Sequence, residues 1–391
     1  MKIILLLFVS TLSITAFSQS WNQITDYSGS ARDDGTSFTI GNKAYCGTGR
    51  NAGFNMTSDF KAFDLATEIW TPIASLPQTA NRQYATSFVF NGKGYVFGGI
   101  DNSGDYLNDL WEYDPLADSW FELTNMPDTG RSGASNFVIN GVAYIIGGKT
   151  DSLLAVRDVW AYDIVSGNWI QKSDLPNFGM WRGMAVASND QGYIGFGKDA
   201  NDDTSIEFFE FDPTLDQWTS MPGINLEARS YPAYAQIGDS LYIYGGVDVS
   251  GDYLNTFERV NLNTWNVDVL NSFPSEARRG SMMFVSDNDI FISTGLTLTT
   301  RLKETWVAKN VLSTEEEEFA SSVILVGNEL KIISDVNWTE IELFSLEGEI
   351  LYAEQSGEIL SVNMTNLDSG LLFYRLRSGE LEVHGRVYLS E

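Results

Sequence analysis

A unit of about 49 residues recurs along this chain, and no other feature limits the possible folds so strongly. It is clearest over 82–127. Arg82 opens an apolar run that ends at Phe90, and Asn91-Gly92 turns the chain into a second run ending at Phe97. Gly98-Gly99 closes that run; after a loop come Leu110-Trp111-Glu112-Tyr113 and Trp120-Phe121-Glu122-Leu123. Asn-Gly between two apolar runs is a strong hairpin signal, because both central residues of a type I′ turn need positive φ. The stretch therefore predicts four short strands, and one such sheet cannot bury both faces alone.

The opening Arg recurs at Arg82, Arg131, Arg182, Arg229 and Arg278, at intervals of 49, 51, 47 and 49, with Arg32 a further 50 upstream. Glycines recur as Gly98-Gly99, Gly147-Gly148 and Gly245-Gly246, and more loosely as Gly47/Gly49, Gly195/Gly197 and Gly295. A third-strand aromatic recurs as Phe60, Trp111, Trp160, Phe209, Phe257 and Trp306, and a fourth-strand Trp as Trp70, Trp120, Trp169, Trp218 and Trp265. Ser-Gly-Asp-Tyr-Leu-Asn occurs at 103–108 and again at 250–255, a separation of 147, or three units of 49.

These markers together resemble the Kelch repeat, which builds β-propellers from four-stranded blades. The expected fold is all-β: a six-bladed Kelch-type β-propeller over 19–310 followed by a small β-sandwich domain. The sixth unit has its aromatic at Trp306 but no Trp after it. Trp21 lies 11 residues before Arg32, as Trp120 lies 11 before Arg131, so the strand 19–26 is expected to close the last blade.

The chain begins with Lys2, an apolar run over 3–9 and the triplet Ala16-Phe17-Ser18, small at its first and third places, the pattern of a signal peptide over 1–18. That run is too short for a transmembrane segment, and no other stretch is long enough. The expected location is secreted or on the outer-membrane surface of a bacterium, reached through the periplasm. After the repeats, 311–319 reads as an acidic linker, with four consecutive Glu from Glu315 to Glu318. Short alternating runs over 320–391 then predict the β-sandwich. The segments 341–348 and 364–376 resemble the C-terminal sorting domain of the type IX (Por) secretion system, although that family's Pro-Asn-Pro is absent around 320–325. The resemblance implies the type IX secretion machinery as a partner. A sandwich serving stability or ligand binding is the other reading.

Composition narrows the chemistry. A net charge of −28 excludes nucleic acid as a partner, because such a chain repels phosphate backbones. His384 and Cys46 are single residues of their kinds, which disfavours Ser-His-Asp and Cys-His catalysis, histidine-based zinc and galactose-oxidase-type copper chemistry. No cofactor, no metal and no catalytic set is expected, and an enzyme is not the first reading. Asp199-Ala-Asn-Asp-Asp203 has acid spacing like a calcium loop but lacks the Gly at the sixth position and the Glu at the twelfth. Cys46 reads as a small buried apolar residue.

The repeat order places each Arg and each double Gly on one face of the disc, beside the channel. The expected binding site is a ring of guanidiniums at the channel mouth: Arg82, Arg131, Arg182, Arg229 and Arg278, with Arg50 on the rim and Tyr84, Trp181 and Tyr231 as stacking faces. The Kelch resemblance implies the same Arg positions for peptide binding. An Arg repeated once per blade can equally serve to satisfy nearby backbone carbonyls, and that alternative stays open. The expected function is a protein, peptide or glycan binding module for an acidic partner. A carbohydrate-modifying enzyme resembling Kelch-type N-acetylneuraminate epimerase, and an architectural adhesion protein, are the alternatives.

Overall fold

A computed structural model describes residues 21–391 apart from 177–178, 222, 310, 312–321, 327–328, 334–337, 346–347, 356–360, 366, 368–369, 379–380 and 390–391. The signal-peptide reading of 1–18 and most of the linker reading fall outside the described residues. Two compact units emerge, 19–312 and 313–391, the first 18 residues aside.

The larger unit is a six-bladed, all-β propeller whose blades are antiparallel four-stranded sheets. Blade 2 is typical, with strands Thr86–Phe90, Lys93–Ile100, Tyr106–Asp114 and Ser119–Glu122 numbered outward from the axis. Its first hairpin is the type I′ turn that Asn-Gly predicts, with φ +49° at Asn91 and +75° at Gly92. In blade 6 the strand Thr305–Ala308 pairs antiparallel with Trp21–Ile24, so the two ends of the unit share one sheet. Trp21 meets the rings of Phe257 and Phe273 edge-on at 5.0 and 4.9 Å. Val311 is buried and bonded to both Asn288 and Tyr242, so the propeller runs past 310, the boundary expected from the sequence.

Aromatic packing between blades gives the repeat its outer marker. The indole N–H groups of Trp70, Trp120, Trp169 and Trp218 donate to the carbonyls of Thr25, Ala74, Thr124 and Ser173, at 2.8–3.2 Å. Each Trp thus ties its blade to chain about 45 residues earlier. Trp265 differs from this pattern. It occupies the turn before the outer strand Val267–Val269 and packs on Tyr193 and Phe208.

The smaller unit has a three-stranded sheet and a four-stranded sheet. Its core gathers Leu330, Ile332, Trp338, Ile341, Leu343, Val362, Met364, Leu372 and Leu376. Two sheets around one apolar core make a small β-sandwich. Among the described residues no helix is long and apolar enough to cross a membrane.

Candidate functional site

The markers on the axial side build two closed rings of backbone hydrogen bonds. In the inner ring the N–H of Asp34, Tyr84, Gly133, Arg182, Tyr231 and Gly280 each donates to the equivalent carbonyl of the preceding blade, at 2.8–3.3 Å. In the outer ring the N–H of Gly49, Gly99, Gly148, Gly197, Gly246 and Gly295 donates to the carbonyl that heads the next blade, at 2.8–3.0 Å. The double glycines are needed here: a Cβ on Gly147 would lie 2.2 Å from the Met180 carbonyl, and Gly98 and Gly148 have φ of +63° and +105°.

This geometry corrects the expected ring of arginines. Arg82, Arg131, Arg229 and Arg278 do not line the mouth; each is at most 1% exposed. They are bound inside their own blades to Asp109, Asp158, Glu258 and Glu304, as Arg32 is to Asp59. Each also donates to a backbone carbonyl of the second strand or its end, at Gly98, Gly147, Gly245 and Thr294. A buried guanidinium is costly unless its charge and donors are met, and the blade supplies the charge and, Arg131 Nε apart, the acceptors.

Arg182 is not the fourth member of that set. The inner ring aligns it with Tyr84 and Tyr231, and the structural equivalent of the buried arginine in blade 4 is Met180. The spacing already carried this: 131 to 180 and 180 to 229 are both 49, whereas Arg182 required 51 and 47.

Freed from that role, Arg182 stands at the centre of the mouth. Its guanidinium lies 3.6 Å from the Tyr84 ring centroid and 4.4 Å from that of Tyr231, and donates to Asp34 at 2.6 Å. Arg279 reaches Asp34 at 3.2 Å from the other side, and Arg301 donates to Asp33 at 2.5 Å. Trp181 packs edge-on to Tyr231 at 5.7 Å, with the Lys149 ammonium over its ring. Arg50 lies in register beside Asp33, and its guanidinium stacks on Phe54. The structure therefore brings Arg182, Tyr84, Trp181 and Tyr231 together, with Arg50 beside them only through its backbone pairing with Asp33. Sequence reasoning missed Asp33, Asp34, Arg279 and Arg301, although the doublets Asp33-Asp34 and Arg278-Arg279 directly after the repeat arginine position were a usable signal.

The collar has an unusual charge balance for this protein. Six cations, Arg50, Lys149, Arg182, Lys198, Arg279 and Arg301, stand in or beside the inner ring against Asp33 and Asp34. Asp202 reaches in to Lys198 at 3.3 Å. Burial and the neighbouring Asp34 push Asp33 up to about 7 despite Arg301. For Asp34, burial opposes ionisation, but the Arg182 and Arg279 guanidiniums outweigh it and hold the carboxyl below its ordinary value. Burial and Asp34 thus favour the protonated form of Asp33, while the arginines favour the ionised form of Asp34. Burial also raises the Tyr84 and Tyr231 phenols, which stay neutral donors.

Three buried polar atoms of the collar have no partner: Gln83 Oε1, Trp181 Nε1 and Arg182 Nε. Asp34, Tyr84, Arg182 and Tyr231 hold φ near +60°, a conformation costly for side chains of this size, while Gly133 and Gly280 occupy the same ring position without strain. Elsewhere the candidates are structural. Asp199 Oδ1 accepts the N–H groups of Asn201 and Asp203, a turn staple repeated at Asp101 and Asp248. Cys46 is buried, and burial raises its thiol well above the ordinary range.

Similarity to known proteins agrees with this architecture. The family described as the KLHDC2/KLHL20/DRC7 Kelch-repeats domain matches residues 9–177, and the Kelch motif matches 228–272. N-acetylneuraminate epimerase 1 of Escherichia coli O6:H1 is 41% identical over 68 residues, 16% of this chain and 18% of that protein. An F-box/kelch-repeat protein of Arabidopsis thaliana is 37% identical over 68 residues, 17% of this chain and 14% of that protein. The matched stretch spans less than a fifth of either relative. The solved structure titled "Structure of YjhT" superposes with a TM-score of 0.61 at 19% identity, over 71% of this chain and 95% of that one. The chain therefore carries Kelch repeats, and they are wound into a six-bladed β-propeller.

Proposed function

We propose that the propeller is a binding module for a carboxylate-bearing peptide, protein or glycan, with the collar as its site. The observation that carries this reading is the cluster of six cations and three aromatic faces at the mouth of a chain with net charge −28. Guanidiniums offer planar forks to carboxylates, and the unpaired Trp181 and Arg182 donors add hydrogen bonds that a ligand can complete. Peptide and glycan arrays probed with the full chain test it. Arg182→Ala and Arg279→Ala are each expected to weaken an anionic hit by about tenfold or more. Retention of every hit by both variants would move the site off the collar.

A second reading is favoured by one specific feature. Asp33 and Asp34 form a carboxyl–carboxylate pair beside Arg182 and Arg279, a set suited to acid–base chemistry on a bound acid. Similarity to N-acetylneuraminate epimerase over 68 residues gives that chemistry a first substrate to try. The test is epimerisation of N-acetylneuraminate followed by proton NMR. An enzyme of this kind loses turnover in Asp33→Asn, and no turnover by the native chain rejects that substrate. Export through the type IX pathway rests on the resemblance of 341–348 and 364–376 to its sorting domain, and belongs to the same proposal.

A further inference from the structure

Away from the axis, a cleft of about 690 Å³ opens between the loops of blades 3 and 4. Leu153, Ala155 and Val156 form an apolar wall, and Asp128, Arg131 and Asp158 a polar one. Its volume falls within the usual span of small-ligand sites, about 300–1,000 Å³.

Blade 3 departs from its neighbours at this place. In the other four blades with a buried arginine, Nε donates to the carbonyl two residues earlier, at 2.9–3.1 Å. Arg131 is 1% exposed, yet its Nε has no partner. Asp158 occupies Nη1 and Nη2 at 2.9 and 2.8 Å, and Asp128 adds a second carboxylate on Nη2 at 3.0 Å. Two carboxylates thus share one guanidinium. Arg157, the other cation of the cleft, is held by Asp174 at 3.2 Å. The polar wall therefore carries one surplus negative charge beside an unused buried N–H. A buried donor without an acceptor is costly, so a ligand that supplies one gains the difference.

An ammonium answers the surplus charge, and a carbonyl oxygen next to it answers Nε. Both occur together in an α-amino amide. We propose that this cleft binds an α-amino amide with an apolar side chain, either the N-terminal residue of a peptide or a free amino-acid amide. The ammonium donates to Asp128, the adjacent carbonyl accepts from Arg131 Nε, and the side chain lies on Leu153, Ala155 and Val156. This site is separate from the collar and does not depend on the collar's ligand.

The test titrates the full chain with Leu-Gly-Gly, leucinamide and N-acetyl-Leu-Gly-Gly, read by saturation-transfer NMR and calorimetry. Binding of leucinamide and the tripeptide alike supports recognition of a single residue; binding of the tripeptide alone supports a longer peptide. Acetylation removes the ammonium and is expected to weaken binding by about tenfold or more, as is Asp128→Asn. Asp128 is 38% exposed, so that variant is expected to fold, and a thermal melt checks this. Leu153→Asp, at a side chain 56% exposed, tests the apolar wall independently. Equal binding of the acetylated peptide, or no effect of either substitution, or no binding by roughly 10 mM would overturn the proposal.

Discussion

A guanidinium with no exposure to water is costly unless its charge and most of its donors are answered, and in five blades an acid of the same blade answers the charge. Blade 4 shows that the position does not demand charge: Met180 and Phe209 share one apolar cluster there, at the places of Arg229 and Glu258 in blade 5. Removing one partner of a buried pair costs about 3–5 kcal/mol, whereas replacing both by apolar groups is often neutral. Glu258→Ala is therefore expected to lower stability by about that amount. The double substitution Arg229→Met with Glu258→Phe, which transplants the blade 4 pair, is expected to recover most of the loss. Urea denaturation of the three proteins decides it; a double variant no better than Glu258→Ala would show that blade 5 needs the ion pair. Asp33 carries a second prediction. Its folded value, about 7, lies above the ordinary carboxyl value, so the folded state binds more protons than the unfolded one between them. Its contribution is fully present below about pH 4 and is lost as pH rises through 7. The stability of the native chain relative to Asp33→Asn is accordingly expected to fall between pH 4 and 7, while Asp34, lowered by its arginines, contributes in the opposite sense. A flat difference across that window would remove the raised carboxyl. Arg182 and its aromatic neighbours were legible from the repeat, but the ion pairing of the collar was not, because Arg182, Arg279 and Arg301 meet Asp34 and Asp33 across separations of 148, 245 and 268 residues.

Elements were far more legible, for a local reason. A strand announces itself through alternation and a turn through residues that tolerate positive φ, and both lie within a few positions of each other. Asn91-Gly92 adopts the turn expected of it, and Asn140-Gly141 in blade 3 shows the same pair of positive φ angles. What pattern alone misplaced was register within an element. Phe257 pairs with Tyr244 as Leu110 pairs with Phe97, so it stands one position before the place held by Trp111, and Glu258 occupies that place instead. An aromatic at either position satisfies the composition, and only pairing distinguishes them. The strand Trp21–Ile24 makes the strongest prediction at this scale. It completes blade 6, covers an otherwise open edge at Thr305–Ala308 and inserts Trp21 between Phe257 and Phe273. Deleting 19–26 is expected to lower Tm by several degrees and to leave a sheet edge that promotes association. Trp21→Ala, which keeps the backbone ladder, is expected to cost less than the deletion. Differential scanning calorimetry on the three chains orders them, and an unchanged Tm in the deletion would show that the ring holds without its N-terminal strand.

For the whole molecule the decisive property is that each unit has a core of its own. The propeller's apolar clusters draw on residues 21–311, and the sandwich cluster draws only on residues of 330–376. Two closed rings of backbone hydrogen bonds and the Trp21 strand make the propeller complete without the smaller unit. A unit that owns its core keeps its stability when a neighbour is removed, because no apolar surface of the core becomes exposed. Removing 320–391 is therefore expected to leave the propeller's Tm within about 2 °C of its value in the full chain. The same deletion separates two roles for the sandwich. If it serves sorting, as its resemblance implies, the truncated protein folds normally yet accumulates inside the cell envelope when expressed in a bacterium with a type IX system. If it serves stability, the propeller melts lower and is degraded instead. Immunoblots of cell and medium fractions, read beside the melting curve of the purified truncated chain, distinguish these outcomes. Normal release of a stable truncated propeller into the medium would remove the sorting role altogether.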